Sequence, residues 1–151
     1  MATYNWVSPT SDNGQQAGWQ NGSNARDNNT ASSASYCYEI SDYGAFIEFE
    51  YAGGLLCDKI RFYAAQDYGS TIDIDVYRPG SGWLPVYDGS FAWDVFTVKT
   101  IPGGAKFITK ARVRFWEEGG ATVYLKEFYF NKLKNRPLVG QSLAGGRRGL
   151  V

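Results

Sequence analysis

Run after run of this chain places apolar residues on every second position and then stops at glycine or proline. The clearest case is Thr71–Arg78, where Ile72, Ile74 and Val76 alternate with Thr71, Asp73 and Asp75. A period of two is the mark of a half-buried β-strand. Pro79-Gly80-Ser81-Gly82 turns the chain and Trp83–Tyr87 returns, which predicts a hairpin with Trp83 in the core. Upstream, a strand begins at Ala34–Ile40. Ala45, Ile47, Phe49 and Tyr51 then alternate with Phe46, Glu48 and Glu50, and Gly53-Gly54 interrupts the run. Leu55–Ala65 follows with Ile60, Phe62 and Ala64 opposite Lys59, Arg61 and Tyr63. Trp93–Lys99, Lys110–Glu117 and Thr122–Phe130 complete the set, separated by Pro102-Gly103-Gly104 and Glu117-Glu118-Gly119-Gly120. No segment carries apolar residues at helical spacing. Short strands divided by Gly/Pro turns predict an all-β, antiparallel jelly-roll β-sandwich.

Composition narrows the function classes. The chain has 151 residues, enough for one domain with its own core. Its aromatic share of 17% suits strands first and binding surfaces second. Fifteen basic residues balance 15 acidic ones, so no long-range field draws in nucleic acid, whose affinity comes mainly from phosphate neutralisation. No early stretch has the order of a signal peptide, and no apolar run reaches the length of a membrane span. The expected setting is a virion or other extracellular particle. Cys37 and Cys57 each fall in a strand-like run, as a disulfide or as two free thiols.

Between the first residues and the strands lies a polar stretch opened by Trp19. Asn24, Asp27, Asn28, Asn29, Thr30, Ser32 and Ser33 crowd side-chain oxygens into it. A loop this long inside a compact domain is commonly functional, or ordered by something it binds. Hard oxygen donors suit calcium; the alternative is a solvated cluster of Asx and Ser turns. Trp19, then Asn24-Ala25-x-Asp27-x-Asn29-Thr30, then Ala31 and Ala34 before a strand, resembles the opening of discoidin-like, galactose-binding-like β-sandwich domains. The resemblance spans residues 15 to 132 as a pattern of strands. It implies one structural calcium ion, with Asp27, Asn29 and Thr30 on the loop and a carboxylate from the closing strand. Asn28-Asn29 stand where the family favours glycine, so asparagine takes the left-handed position. On the closing strand Glu127 shares parity with Val123 and Leu125, while Phe128 and Phe130 have the other parity. Either a bulge lies near Lys126-Glu127, or Glu127 points inward and needs a cation or donors. A salt bridge to Arg26, or exposure at the bulge, are the rival outcomes.

Residues 1–18 read as a short strand or N-terminal arm, 19–131 as the sandwich and 132–151 as a basic, glycine-rich C-terminal tail. The tail holds Lys132, Lys134, Arg136, Arg147 and Arg148 and no acid. The chain contains no histidine, which removes the commonest general base and the familiar nucleophile triads. Asp73 and Asp75 share one strand face but read as a solvated polar face, so no enzyme is expected. Binding remains. The contact candidates lie in inter-strand loops: Tyr68, Phe91, Trp93 and Trp116, with Tyr68 and Trp116 expected exposed and Trp93 open between surface and core. Aromatic faces of this kind stack on sugars. Two functions follow. The first is a structural or attachment subunit of a larger assembly, such as a virion (phage neck, tail, fibre or capsid decoration), oligomeric and held by its terminal arms. The second is a carbohydrate-binding or adhesion module of the galactose-binding-like type, with a glycan as partner.

Overall fold

The computed structural model describes residues 4–134. They form ten strands: β1 (Trp6–Val7), β2 (Ser11–Asp12), β3 (Ala34–Cys37), β4 (Asp42–Tyr43), β5 (Ile47–Gln66), β6 (Thr71–Arg78), β7 (Gly82–Ser90), β8 (Thr97–Thr100), β9 (Lys106–Glu117) and β10 (Thr122–Lys132). A single 3-10 turn, Gly22–Arg26, interrupts the polar stretch, and the described residues hold no α-helix. Every strand pair is antiparallel, in the order β1-β10-β5-β9-β6-β7, with β3 on β10, β2 and β8 on β5, and β4 on β9.

The Gly53-Gly54 interruption does not end a strand. β5 runs through it as one 20-residue strand whose register jumps between Glu50 and Leu55. Gly53 and Gly54 have φ of 81° and 73°, a region that glycine enters without a Cβ clash, so the chain bends there and continues. The part up to Cys57 pairs with β9, and the part from Cys57 onward pairs with β10. One strand therefore belongs to both layers, and the sheet folds over on itself as a sandwich.

Alternation puts the apolar face of each layer inward. Ile47, Phe49, Ile60, Phe62, Ile72, Ile74, Val113 and Phe130 are fully buried, as their parity predicts. Phe49 stacks on Phe128 across the layers with ring centroids 5.2 Å apart. Phe91 bridges Phe62 and Phe115 at 5.8 and 5.7 Å, so this loop residue belongs to the core and not to a binding surface. Trp83 does the opposite. Expected in the core, it lies half-buried on the outer face of β7, edge-on to Tyr77 and 4.2 Å over the Arg112 guanidinium. Parity explains the miss: Trp83 lies directly opposite Tyr77, on the outward face that carries Asp73 and Asp75, and the register slip at Ile74/Asp75 comes only after it.

Of the two readings for residues 1–18, the described part forms strand pairs: β1 on the edge of β10 and β2 on β5. β10 extends to Lys132, and Leu133 N–H still bonds to the Leu56 carbonyl; the rest of the basic tail, from residue 135, lies outside the described residues. Both cysteines are free thiols. Cys37 pairs with Thr122 and Cys57 with Lys132, at opposite ends of β10, about 30 Å apart by strand rise.

Candidate functional site

The polar stretch is stitched to the closing strand by one carboxylate. The register of β10 on β5 shifts between Leu125 and Glu127, so both sequence alternatives hold together: the strand bulges and Glu127 is also buried. Its Oε1 accepts from the Asn28 N–H at 3.1 Å and its Oε2 from the Asn29 N–H at 3.0 Å. Asn28 is left-handed, φ 59°, as asparagine in place of glycine requires. Arg26 is no partner of Glu127; it pairs with Asp12 at 2.7 Å.

Asp27 comes to the same place. It accepts from the Asn29 N–H at 3.0 Å and from the Ser32 hydroxyl at 2.6 Å. Burial, and then a proton shared with Asp27, push Glu127 up to about 7, while hydrogen bonds hold Asp27 below the usual range despite its desolvation. A buried carboxyl group, Glu127, drawn against the exposed Asp27 carboxylate calls for a proton or a cation between them. With the Ser32 hydroxyl they make a donor set of hard oxygens, which fits calcium. Among the described residues no cluster reaches three acidic, Cys or His side chains, so the remaining donors would be neutral oxygens. Asn29 contributes its N–H to Glu127 and its Oδ1 to the Ala31 N–H. Thr30 is exposed, and Ser32 holds the place expected for its hydroxyl.

A second arrangement forms at the end of the sandwich where β5 passes to β6, β7 to β8 and β9 to β10. Tyr68 is 67% exposed in the first of these turns, and Trp93 is 46% exposed in the second. The Trp93 indole N–H donates to the Gly69 carbonyl at 3.0 Å, which pins the two turns side by side. Asp67 joins the third: its carboxylate accepts from the Thr122 N–H at 3.1 Å and the Tyr124 hydroxyl at 3.2 Å. Lys126 closes on Asp94 at 2.6 Å. Trp116, expected exposed, is half-buried on β9 between Tyr43 of β4 and Thr71 of β6, and its carbonyl accepts from the Gln66 carboxamide at 2.7 Å.

Asp73 and Asp75 are not simply solvated. They pair with Arg114 and Arg112, each at 2.8 Å, and both guanidinium groups lie over Phe46 at 4.5 and 4.3 Å. On the other layer Arg61 sits within 4.8 Å of the rings of Trp6, Phe96 and Tyr129. Neither assembly was visible in the sequence, because each joins residues from distant strands. The polar hollow lined by Gln15, Gln16 and Gln20 was missed for the same reason. Glutamines in a turn-rich segment carry no periodicity that would flag them.

No family model matches the chain, and no curated protein matches it in sequence. Solved structures do match in fold. Chitosan-binding module 1, derived from a chitosanase/glucanase of Paenibacillus sp. IK-5, superposes with a TM-score of 0.61 at 18% identity, over 85% of this chain and 98% of its own. The CBM32 module of AlyQ, in complex with 4,5-unsaturated mannuronic acid, gives 0.62 at 11% identity, over 84% and 98%. CBM32-1 from a family 31 glycoside hydrolase of Clostridium perfringens gives 0.59 at 13%, over 86% and 92%. The chain has the galactose-binding-like, discoidin-like β-sandwich fold of these carbohydrate-binding modules. The resemblance drawn from residues 15 to 132 is thus borne out at the level of fold.

Proposed function

We propose that this chain is a non-catalytic carbohydrate-binding module that docks a glycan at the end of the sandwich bearing Tyr68 and Trp93. The observation that carries the reading is the Trp93–Gly69 hydrogen bond, which holds two exposed aromatic rings at one end of the fold. Such rings offer flat apolar faces to sugar C–H surfaces, and Asp67, Asp94 and Lys126 beside them offer partners for hydroxyls. The neighbours support this choice: one is a chitosan-binding module and another was captured with a mannuronic acid derivative. The assembly-subunit reading, a virion part held by its arms, draws no support from them. Asp27, Glu127 and Ser32 would hold one structural calcium, joining loop to strand and taking no part in the glycan contact.

A glycan array carrying galactose, N-acetylglucosamine, glucosamine and uronate polymers tests the reading. Binding to at least one class is expected. Trp93→Ala and Tyr68→Ala should each weaken that binding by about tenfold or more, equivalent to about 1.4 kcal/mol, and Tyr68→Ala, which breaks no hydrogen bond, should do so with an unchanged melting temperature. A clean array, from protein shown to be folded, would remove the proposal.

A further inference from the structure

We infer that the glycan is an extended polysaccharide laid across the outer face of one layer, and not a single terminal sugar. The inference rests on the glycan reading and adds the length of what is bound.

Two open hollows share a lining residue, Gln20. The larger, about 700 Å³, is lined by Gln15, Gln16, Gln20, Asn21 and Ser23. That volume is within the ~300–1,000 Å³ usual for small-molecule sites. The second, about 240 Å³, is lined by Gln20, Ser35, Tyr36, Cys37 and Thr122. Gln20 lines both, so the two hollows adjoin at that residue. Gln20 bridges to Ser35 through two backbone hydrogen bonds of 2.9 and 3.0 Å, and Cys37 lies opposite Thr122. Thr122 in turn bonds to Asp67, the residue before Tyr68. The track therefore runs from the glutamines over β3 and β10 to the aromatic end. Four neighbouring chain segments at strand spacing make it about 15 Å long, more than one sugar ring can occupy.

Its chemistry suits a sugar chain. Gln15, Gln16 and Gln20 are exposed, and each carboxamide presents two donors and an acceptor without charge. This matches the vicinal hydroxyls of a pyranose. The two charged side chains at the larger hollow, Asp12 and Arg26, neutralise each other at 2.7 Å. The hollow thus supplies hydrogen bonds to sugar hydroxyls, and the aromatic pair supplies the stacking platform at the far end.

Isothermal titration of the full chain with oligomers of N-acetylglucosamine, glucosamine, galactose and mannuronate, from monomer to hexamer, tests this. In the series that binds, affinity should climb by about tenfold or more from monomer to hexamer. The double variant Gln15→Ala/Gln16→Ala should lose that gain on the hexamer, keep the monomer affinity and melt like the parent. Equal affinity for monomer and hexamer, or a hexamer indifferent to the double variant, would overturn the extended track and leave the module reading in place. Failure of every series would remove both.

Discussion

Glu117 and Glu127 have no exposure at all, and each answers its burial differently. Glu127 finds two backbone donors and the Asp27 carboxyl. Glu117 finds only the Tyr38 N–H, at 3.1 Å on Oε1; its Oε2 has no partner among the described residues and lies against Gly44 and Tyr36. Burial pushes Glu117 up to about 7 from an ordinary 4.5. A carboxyl with a raised folded-state pKa contributes its full stability below the unfolded value, and loses it as pH rises through the folded one. Stability should therefore fall as pH climbs from about 4.5 to about 7, by up to about 3 kcal/mol from this group. Chemical denaturation across that window checks it, and Glu117→Gln should make the slope shallower, leaving the part that comes from Glu127, which is also raised to about 7. The calcium proposal is tested separately: chelation should lower the melting temperature, and Asp27→Ala should abolish the difference between chelated and calcium-loaded protein. Identical melting in all of these states would mean hydrogen bonds alone hold the loop. That Glu127 would be unusual was legible beforehand, because its parity conflicted with that of Phe128. Glu117 gave no such signal, since it read as the start of a turn.

Strands were legible wherever one face is buried, since alternation is then imposed by the core. β6 has the bounds its pattern predicted. β8 was expected over Trp93–Lys99 and is Thr97–Thr100, because the preceding residues turn outward to carry the exposed Trp93. The bend in β5 was misread because paired glycines serve equally for a stop and for a kink. Both have positive φ, and a Cβ at Gly53 would meet nothing within 4 Å. Gly53→Ala should consequently cost only the backbone term, about 1 kcal/mol by denaturant unfolding. Gly54→Ala should cost more, since its Cβ would strike the Phe107 ring. Equal losses for the two variants would show that contact with Phe107 contributes nothing. The glutamine-lined hollow remained hidden because it depends on how turns fold together, which no local pattern reports.

At the scale of the molecule, the two cysteines report on the fold without disturbing it. Cys37 is exposed, whereas Cys57 is buried with its thiol pushed up to about 12 by desolvation. A thiol reagent should label Cys37 in the native protein and reach Cys57 only in denaturant; rapid native labelling of both would contradict the packing described around β5. That strand has a further consequence. Since a single stretch of backbone serves both halves of the molecule, neither half has a complete hydrogen-bonding frame without the other. Melting should be all-or-none, with calorimetric and van 't Hoff enthalpies in agreement and no half-folded species that keeps one layer intact.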